Sequence, residues 1–337
     1  MLNFENTTAW RCLNGEGDRT PGLVVDRYGT EDGVFAVLRL DGALRSVSWV
    51  RDTVLEVISA VGFLEKARGQ ETVHLAGERP PDVIAVREYG MTLLANLWKG
   101  QKTGLFLDHR EARRRVRALA RGRRVLNLYG YTGGFSVAAG LGGAVRVETV
   151  DLSKGALELA KRTWEANQSP GHPPFIDTPQ SAVSSHPPVV DTAVQSHPPV
   201  VDTANSSHPS IVDTNHIAVS SDVQAYLKQD RRSWDFIVAD PPSFAPSERA
   251  KPKAIEAYTA LHTACFHRIA HGGLYLAGSC SSHVTASDFL ETLCAAARRA
   301  KVNIQILERA GAPADHPRPA AFSEGDYLKT VLARITQ

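Results

Sequence analysis

"VLNLYGYTGGFSVAAG", residues 125–140, runs from an apolar strand through a glycine-containing turn into a helix of small residues. Open α/β sheets bind their cofactor at such a strand-to-helix turn. The glycines do not follow GxGxxG, and "GQKTG" (100–104) lacks the upstream glycine and the GK[ST] order of a phosphate loop. A dinucleotide requires close backbone approach to its pyrophosphate, which the bulky Tyr129 and Tyr131 hinder. S-adenosylmethionine carries a carboxylate, an ammonium and a sulfonium but no phosphate. A turn with Gly133 and Gly134 beside Thr132 and Ser136 accommodates its amino acid end.

Working outward, the chain continues as alternating strands and amphipathic helices. "AVRVETVD", "SWDFIVADPP", "GGLYLAGSC", "VNIQILER" and "YLKTVLARI" read as strands, with helices at "SKGALELAKRTWEANQ", 253–270 and 286–300. This alternation predicts a doubly wound parallel sheet. The stretch before the final strand, "AGAPADHPRPAAFSEGD", has no crossover helix, so that strand is expected to be antiparallel. The fold class is therefore α/β, Rossmann-like, from 98 to 337. Residues 1–97 read as a small α+β domain in the order strand, strand, helix, strand, strand. Its strands are "GLVVDRYG", "GVFAVLRL", "DVIAVREYG" with "ETVHLAG" before it, and "MTLLANLW"; its helix is "SVSWVRDTVLEVISAVG", which stops at Gly62.

One block fits neither unit. "SHPPVVDTA" occurs at 185–193 and 196–204, and "SHPSIVDTN" follows from Ser207. The proline-rich repeat without amphipathic period predicts a disordered, dispensable insertion at about 169–215. Its closure entropy is tolerable, because lengthening a loop tenfold costs only about 2 kcal/mol. His172, His186, His197 and His208 recur only as part of the duplicated unit, so no metal site is assigned.

Composition bounds the function. At 337 residues, with 43% apolar and 22% charged residues, the chain suits about two globular domains. It has no run of about 18 apolar residues and no signal-peptide pattern at its start, so no membrane partner is expected. Cysteines at 12, 265, 280 and 294 form no CxxC pair, which suits a reduced, cytoplasmic protein. "REARRRVRALARGRR" (110–124) packs eight arginines into fifteen residues against Glu111 alone. It reads either as a solvated helix face or, through Arg113, Arg114 and Arg117, as a contact to an RNA backbone.

Acids stand at successive strand ends. Asp151, 24 residues beyond Asn127, is placed to accept ribose hydroxyls, and Asp222 suits an adenine amino group; each alone is equally a helix N-cap. "DFIVADPPSF" ends a strand in a rigid turn, where Asp240, Pro241 and Pro242 present acceptors to a planar base and Phe244 is available to stack on it. Cys280 ends the strand expected to neighbour the one carrying Asp240. It is either buried filler or a nucleophile.

"NLWKGQKTGLFLDHR", "VLNLYGYTGGFSV", "VDLSKGALELAKR", "VADPPSF", "GSCSS" and "ADHPRPAAFSEGDYLK" resemble, in this order and over nearly the whole chain outside the repeats, the bacterial 23S rRNA cytosine-C5 methyltransferases of the large-subunit I type. The resemblance implies a class I S-adenosylmethionine-dependent methyltransferase acting on RNA. Its cofactor site would draw on Phe106, Asp108, Tyr131, Thr132, Gly133, Ser136, Asp151, Asp222 and Asp240. Its nucleophile would be Cys280, assisted by Asp240. Members usually begin with a PUA domain, which this chain starts too late to hold, and the repeats are foreign to the family. Many RNA cytosine-C5 enzymes carry a second cysteine in the Asp-Pro turn, where Pro242 and Ser243 stand here. The alternatives are a guanine-N7 methyltransferase, whose family shares "GLFLDHR" but typically lacks the later cysteine, and a non-catalytic RNA-binding or ribosome-assembly protein. A homodimer is held open.

Overall fold

The computed structural model describes residues 6–40, 52–53, 56–67, 71–168, 211, 214–322 and 325–336. The repeat block falls almost wholly outside the described residues, as do 46–51 and 54–55 of the helix expected at 46–62.

The larger sheet is built on five strands, of which all but the edge strand are buried along near-continuous runs. These are β8 (Arg124–Leu128), β9 (Arg146–Asp151), β10 (Asn215–Ser220), β11 (Trp234–Ala239) and β12 (Ile269–Ser279). With β13 (Asn303–Ala310) and β14 (Lys329–Thr336) they pair in the order β10-β9-β8-β11-β12-β14-β13. The first five are parallel, and β14 runs antiparallel to both of its neighbours, as the helix-free connection predicts. Residues at period two reach opposite cores. Val125, Phe236, Val238, Leu274 and Leu276 pack with α1 (Arg110–Leu119), α2 (Gly134–Leu141) and α3 (Lys154–Glu165). Leu126, Leu128, Ile237, Ala239, Tyr275 and Ala277 pack with α4 (Val223–Gln229), α5 (Lys251–Phe266) and α6 (Ala286–Ala300). The result is a three-layer Rossmann-like α/β/α sandwich. A capping box, with Thr285 and Asp288 bonding each other's backbone N–H, starts α6 where the sequence places it. The helix expected to reach 270 ends at Phe266, and β12 begins at Ile269.

The amino-terminal unit holds two strands that the sequence reading lacks. Its five-stranded sheet, β1-β2-β3-β4-β5, consists of Ala9–Asn14, Leu23–Thr30, Gly33–Leu40, Gly62–Glu65 and Val73–Gly77. Gly62, read as a helix stop, opens β4, a four-residue strand too short to show alternation; it lies parallel to β3. The hairpin β6 (Ile84–Glu88) and β7 (Met91–Ala95) follows. Its core reaches past residue 97 to Leu105 and Leu107, while Met91 packs with α1–α3, so the two units interlock rather than merely abut. Buried ions tie the seam. Arg11 pairs with Asp26 at 2.8 Å, its backbone N–H donates to Asp315, and Arg110 meets the same Asp315 at 2.8 Å.

The arginine-rich helix α1 corrects the phosphate-contact reading. Arg113 is 3% exposed, and its Nε and Nη2 donate to the two carboxylate oxygens of Glu88 at 2.6 Å each, with a third bond to Phe106 O. Arg117 donates to Tyr89 O, and Arg115 pairs with Glu308 at 2.7 Å. Arg114, about two-fifths exposed, lies over the Tyr89 ring and beside Glu111. Arg113 and Arg117 are thus struts between the units, their guanidinium groups turned to protein acceptors. Among the described residues, no helix is long and apolar enough to cross a membrane, and no cluster of potential metal ligands occurs.

Candidate active site

The turn after β8 is built for close approach. Tyr129 and Tyr131 adopt left-handed φ values of 56° and 46°, and Gly133 adopts 81°. A side chain at Gly133 would also press on Ala160 of α3, with its Cβ 2.9 Å from that of Ala160, so glycine is required twice over. Asp151, one strand along, accepts the Tyr131 N–H at 2.9 Å and the Ser153 N–H at 2.8 Å. Its carboxylate therefore holds the turn and keeps lone pairs for hydroxyls. Tyr131 O–H accepts the Gln101 N–H, and the Phe106 ring meets the Tyr131 ring edge-on at 5.3 Å. Phe106, Tyr131, Thr132, Gly133 and Asp151 thus share one corner.

Of the other expected cofactor residues, Ser136 is engaged elsewhere and Asp222 also caps a helix. Ser136 is 1% exposed; its Oγ accepts from Asn127 Nδ2 and bonds Thr149 Oγ1 at 2.6 Å, in a chain that continues to His216. The helix start turns it toward the sheet, so it is a core hydroxyl and not a ligand-facing one. Asp222 caps α4 through one oxygen, accepting the Ala225 N–H at 2.9 Å, and its side chain stays exposed.

A second cluster gathers around Asp240 and Cys280. β11 and β12 are neighbours with Ala239 opposite Ala277, so Asp240 and Cys280 emerge at the same sheet edge. Gly278 makes this possible, since a Cβ there would overlap Asp240 Oδ1. Ser279 and Ser281 do not simply leave room around the sulfur. Both are fully buried and bond the Tyr258 hydroxyl at 2.9 and 3.1 Å, and Ser281 also meets Ser243 at 3.0 Å. Lys329 Nζ donates to Ser281 O at 2.5 Å and to Tyr327 O at 2.9 Å. The residues flanking Cys280 are thereby pinned, and the Cys280 side chain faces a cavity. Phe244 packs at 4.8 Å from the Tyr258 ring, against the core; Pro241 is buried and Pro242 exposed.

Three residues that the sequence reading did not assign complete this cluster. His109 Nε2 lies 3.2 Å from Asp240 Oδ2, Lys102 pairs with Asp108, and the Tyr327 hydroxyl donates to Asp108 Oδ2 at 2.7 Å. His109 stands inside the quoted "GLFLDHR", beside Asp108, but only the tertiary fold brings it to Asp240. Burial penalises the charge on Asp108, yet Lys102, His109 and His316 outweigh it and hold the carboxyl well below its usual range. Burial raises Asp240, with His109 and Lys102 only partly offsetting it, and burial lowers His109 against the pull of Asp240 and Asp108. The Cys280 thiol is pushed up to about 11 by burial and by Asp240, with Lys102 opposing. Asp108 Oδ1, His109 Nδ1, Asn127 Oδ1 and Asp240 Oδ1 are buried with no partner among the described residues. Orphaned buried acceptors are costly, and so many in one corner of the sheet mark a site that receives donors. Asp151→Ala is accordingly expected to weaken binding of the cofactor by roughly 1.5–3 kcal/mol, read by calorimetry; unaltered affinity would displace the ribose assignment.

Comparison with known proteins agrees with this geometry. A profile of S-adenosylmethionine-dependent methyltransferases matches residues 63–172. The ribosomal RNA large subunit methyltransferase of Deinococcus radiodurans is 33% identical over 99% of this chain and 74% of its own length. The ribosomal RNA large subunit methyltransferase I of Cronobacter sakazakii is 30% identical over 99% of this chain and 76% of its own. Among solved structures, a methyltransferase complexed with SAH superposes with TM-score 0.75 at 27% identity, covering 97% of this chain and 75% of that one. An S-adenosylmethionine-dependent methyltransferase from Streptococcus mutans gives 0.74 at 27% identity over the same shares.

Proposed function

The chain belongs to the S-adenosylmethionine-dependent ribosomal RNA large subunit methyltransferases, and we propose that it methylates carbon 5 of a cytosine in 23S rRNA with Cys280 as nucleophile. The observation that carries this reading is the pairing of β11 with β12, which puts Asp240 and Cys280 at one edge with the thiol on a cavity wall.

The cofactor fits the residues present. Its ammonium and ribose hydroxyls are donors, and the unpartnered oxygens of Asn127 and Asp108, with Asp151, are acceptors at the turn. When bound, S-adenosylmethionine supplies an electrophilic methyl group. The protein must make a poor nucleophile, cytosine C5, able to attack it. The Cys280 thiolate adds to C6, the ring electrons shift toward C5 and N3, and Asp240 donates a proton to N3. A carboxyl raised by burial is suited to that donation, and His109 orients it. Once C5 carries the methyl group, its proton leaves to a base, the thiolate is expelled, and N3 returns its proton to Asp240, restoring the neutral aromatic ring. The target base has to leave its stack to reach this site, at a cost of a few kcal/mol.

Mass-spectrometric nucleoside analysis of rRNA from a deletion strain and its complemented parent tests the reading. Loss of one 5-methylcytosine on deletion is the expected result. Loss of a 7-methylguanosine instead would overturn the cytosine assignment while leaving the family intact.

A further inference from the structure

Cys280 opens into a cavity of about 620 Å³ whose other walls come mainly from outside the methyltransferase sheet. It is lined by residues of β1–β3, the turn at 15–17, Lys66, residues 100–102 and the segment 317–327, with Pro317 O accepting from Asn14 Nδ2 at 2.7 Å. The volume lies within the range of about 300–1,000 Å³ typical of sites for small molecules. Five of the lining residues are cations, Arg11, Arg39, Lys66, Lys102 and Arg318, against the single carboxylate of Glu16.

These cations differ in what already holds them. Arg11 is locked on Asp26, and Lys102 on Asp108. Lys66 is half-buried, donates to Gly100 O, and has no carboxylate partner among the described residues; burial lowers its pKa. A half-buried ammonium with only a carbonyl acceptor carries uncompensated desolvation, which an anion would relieve. Arg318 meets Asp326 at 3.7 Å with both side chains more than two-fifths exposed, a weak, solvent-screened pair that is easily exchanged. Arg39, near the end of β3, lines the same cavity.

We infer that this cavity receives the extruded target nucleotide, with Arg39, Lys66 and Arg318 gripping the RNA phosphates that flank the base at Cys280. The inference rests on the proposed role of Cys280 and extends it: the amino-terminal sheet is half of the RNA site. The basic surface that the sequence assigns to α1 lies instead across the cavity from the sheet edge. Sequence cannot show this, because the three cations stand in separate segments with no local cluster.

The test compares Arg39→Gln/Lys66→Gln/Arg318→Gln with Lys228→Gln/Arg231→Gln/Arg299→Gln. The second set removes equal charge from a basic hollow between α4 and α5. The probe is a fluorescent, mixed-sequence single-stranded RNA of about a dozen nucleotides, with saturating S-adenosylhomocysteine, titrated at several salt concentrations. The cavity set should raise the Kd about tenfold or more and reduce the salt slope by about 2, at roughly 0.7 per lost phosphate contact. The control set should change neither, and S-adenosylhomocysteine affinity should hold in both. Lys66→Arg alone should retain binding. Equal losses in both sets, or no loss in the cavity set, would overturn the inference. A probe with every cytosine replaced by uracil should show the same phosphate-dependent losses. Failure of the cytosine reading therefore leaves this result standing, and failure of the grip leaves the nucleoside analysis unchanged.

Discussion

Cys280→Ser should reduce methyl transfer by a factor on the order of 10⁴ or more, as removal of an enzyme's nucleophile does, while S-adenosylhomocysteine binds as before. RNA carrying 5-fluorocytosine should trap the wild-type chain covalently, since fluorine at C5 cannot leave as a proton does, and should not trap the variant. Serine variants of Cys12, Cys265 and Cys294 should still be trapped, for Cys265 is fully buried and none of the three lines the cavity. The environment of the thiol sets a pH signature. With its pKa near 11, only about one thiol in 10⁴ is ionised at pH 7, so alkylation by iodoacetamide should rise about tenfold per pH unit toward that value. Lys102 is the cation that opposes the rise and lines the same cavity, so Lys102→Met should slow alkylation further at any pH below 11. Near wild-type methylation by Cys280→Ser would mean that the nucleophile is elsewhere or that the target is not cytosine C5.

The fold was readable where residues announce themselves over several positions. The near-continuous apolar runs at 125–128 and 236–239 show two buried faces, and the helix-free 310–326 foretells the antiparallel β14. Short elements escaped: β4 has four residues, and a single glycine served equally as helix stop and strand start. In the site, Asp240 and Cys280 were readable because each ends an apolar strand, and Asp151 because it ends the next one. What failed was direction. Ser136 and Arg113 have the right chemistry in the right neighbourhood, but a helix turns one residue in three or four toward the core, and here both side chains face inward. Lys102, His109 and Tyr327 could not be assigned in advance, because their roles arise only where the 100–109 segment, the Asp240 turn and the 311–328 connection meet.

Arg113→Gln should destabilise the protein strongly instead of loosening RNA. The guanidinium and Glu88 are 3% and 1% exposed and share two bonds of 2.6 Å. Removing one member of a buried pair leaves the other as an uncompensated buried charge, at a cost of about 3–5 kcal/mol. Melting followed by circular dichroism should fall by roughly 6–15 °C, whereas Arg114→Gln, about two-fifths exposed, should shift it by no more than a degree or two. The damage should also reach the cofactor. Arg113 Cδ would lie 3.0 Å from a Cβ at Gly134, so the side chain packs directly beneath the first residue of α2, and its Nη2 holds Phe106 O. Loosening it should weaken S-adenosylhomocysteine binding in the same variant. Glu88→Gln should destabilise comparably, and replacing both residues by leucine should recover much of the loss, since a well-packed apolar pair can substitute for a buried ion pair. A melting temperature unchanged in Arg113→Gln, together with a weaker affinity for RNA, would return this arginine to the RNA surface and overturn its place in the seam.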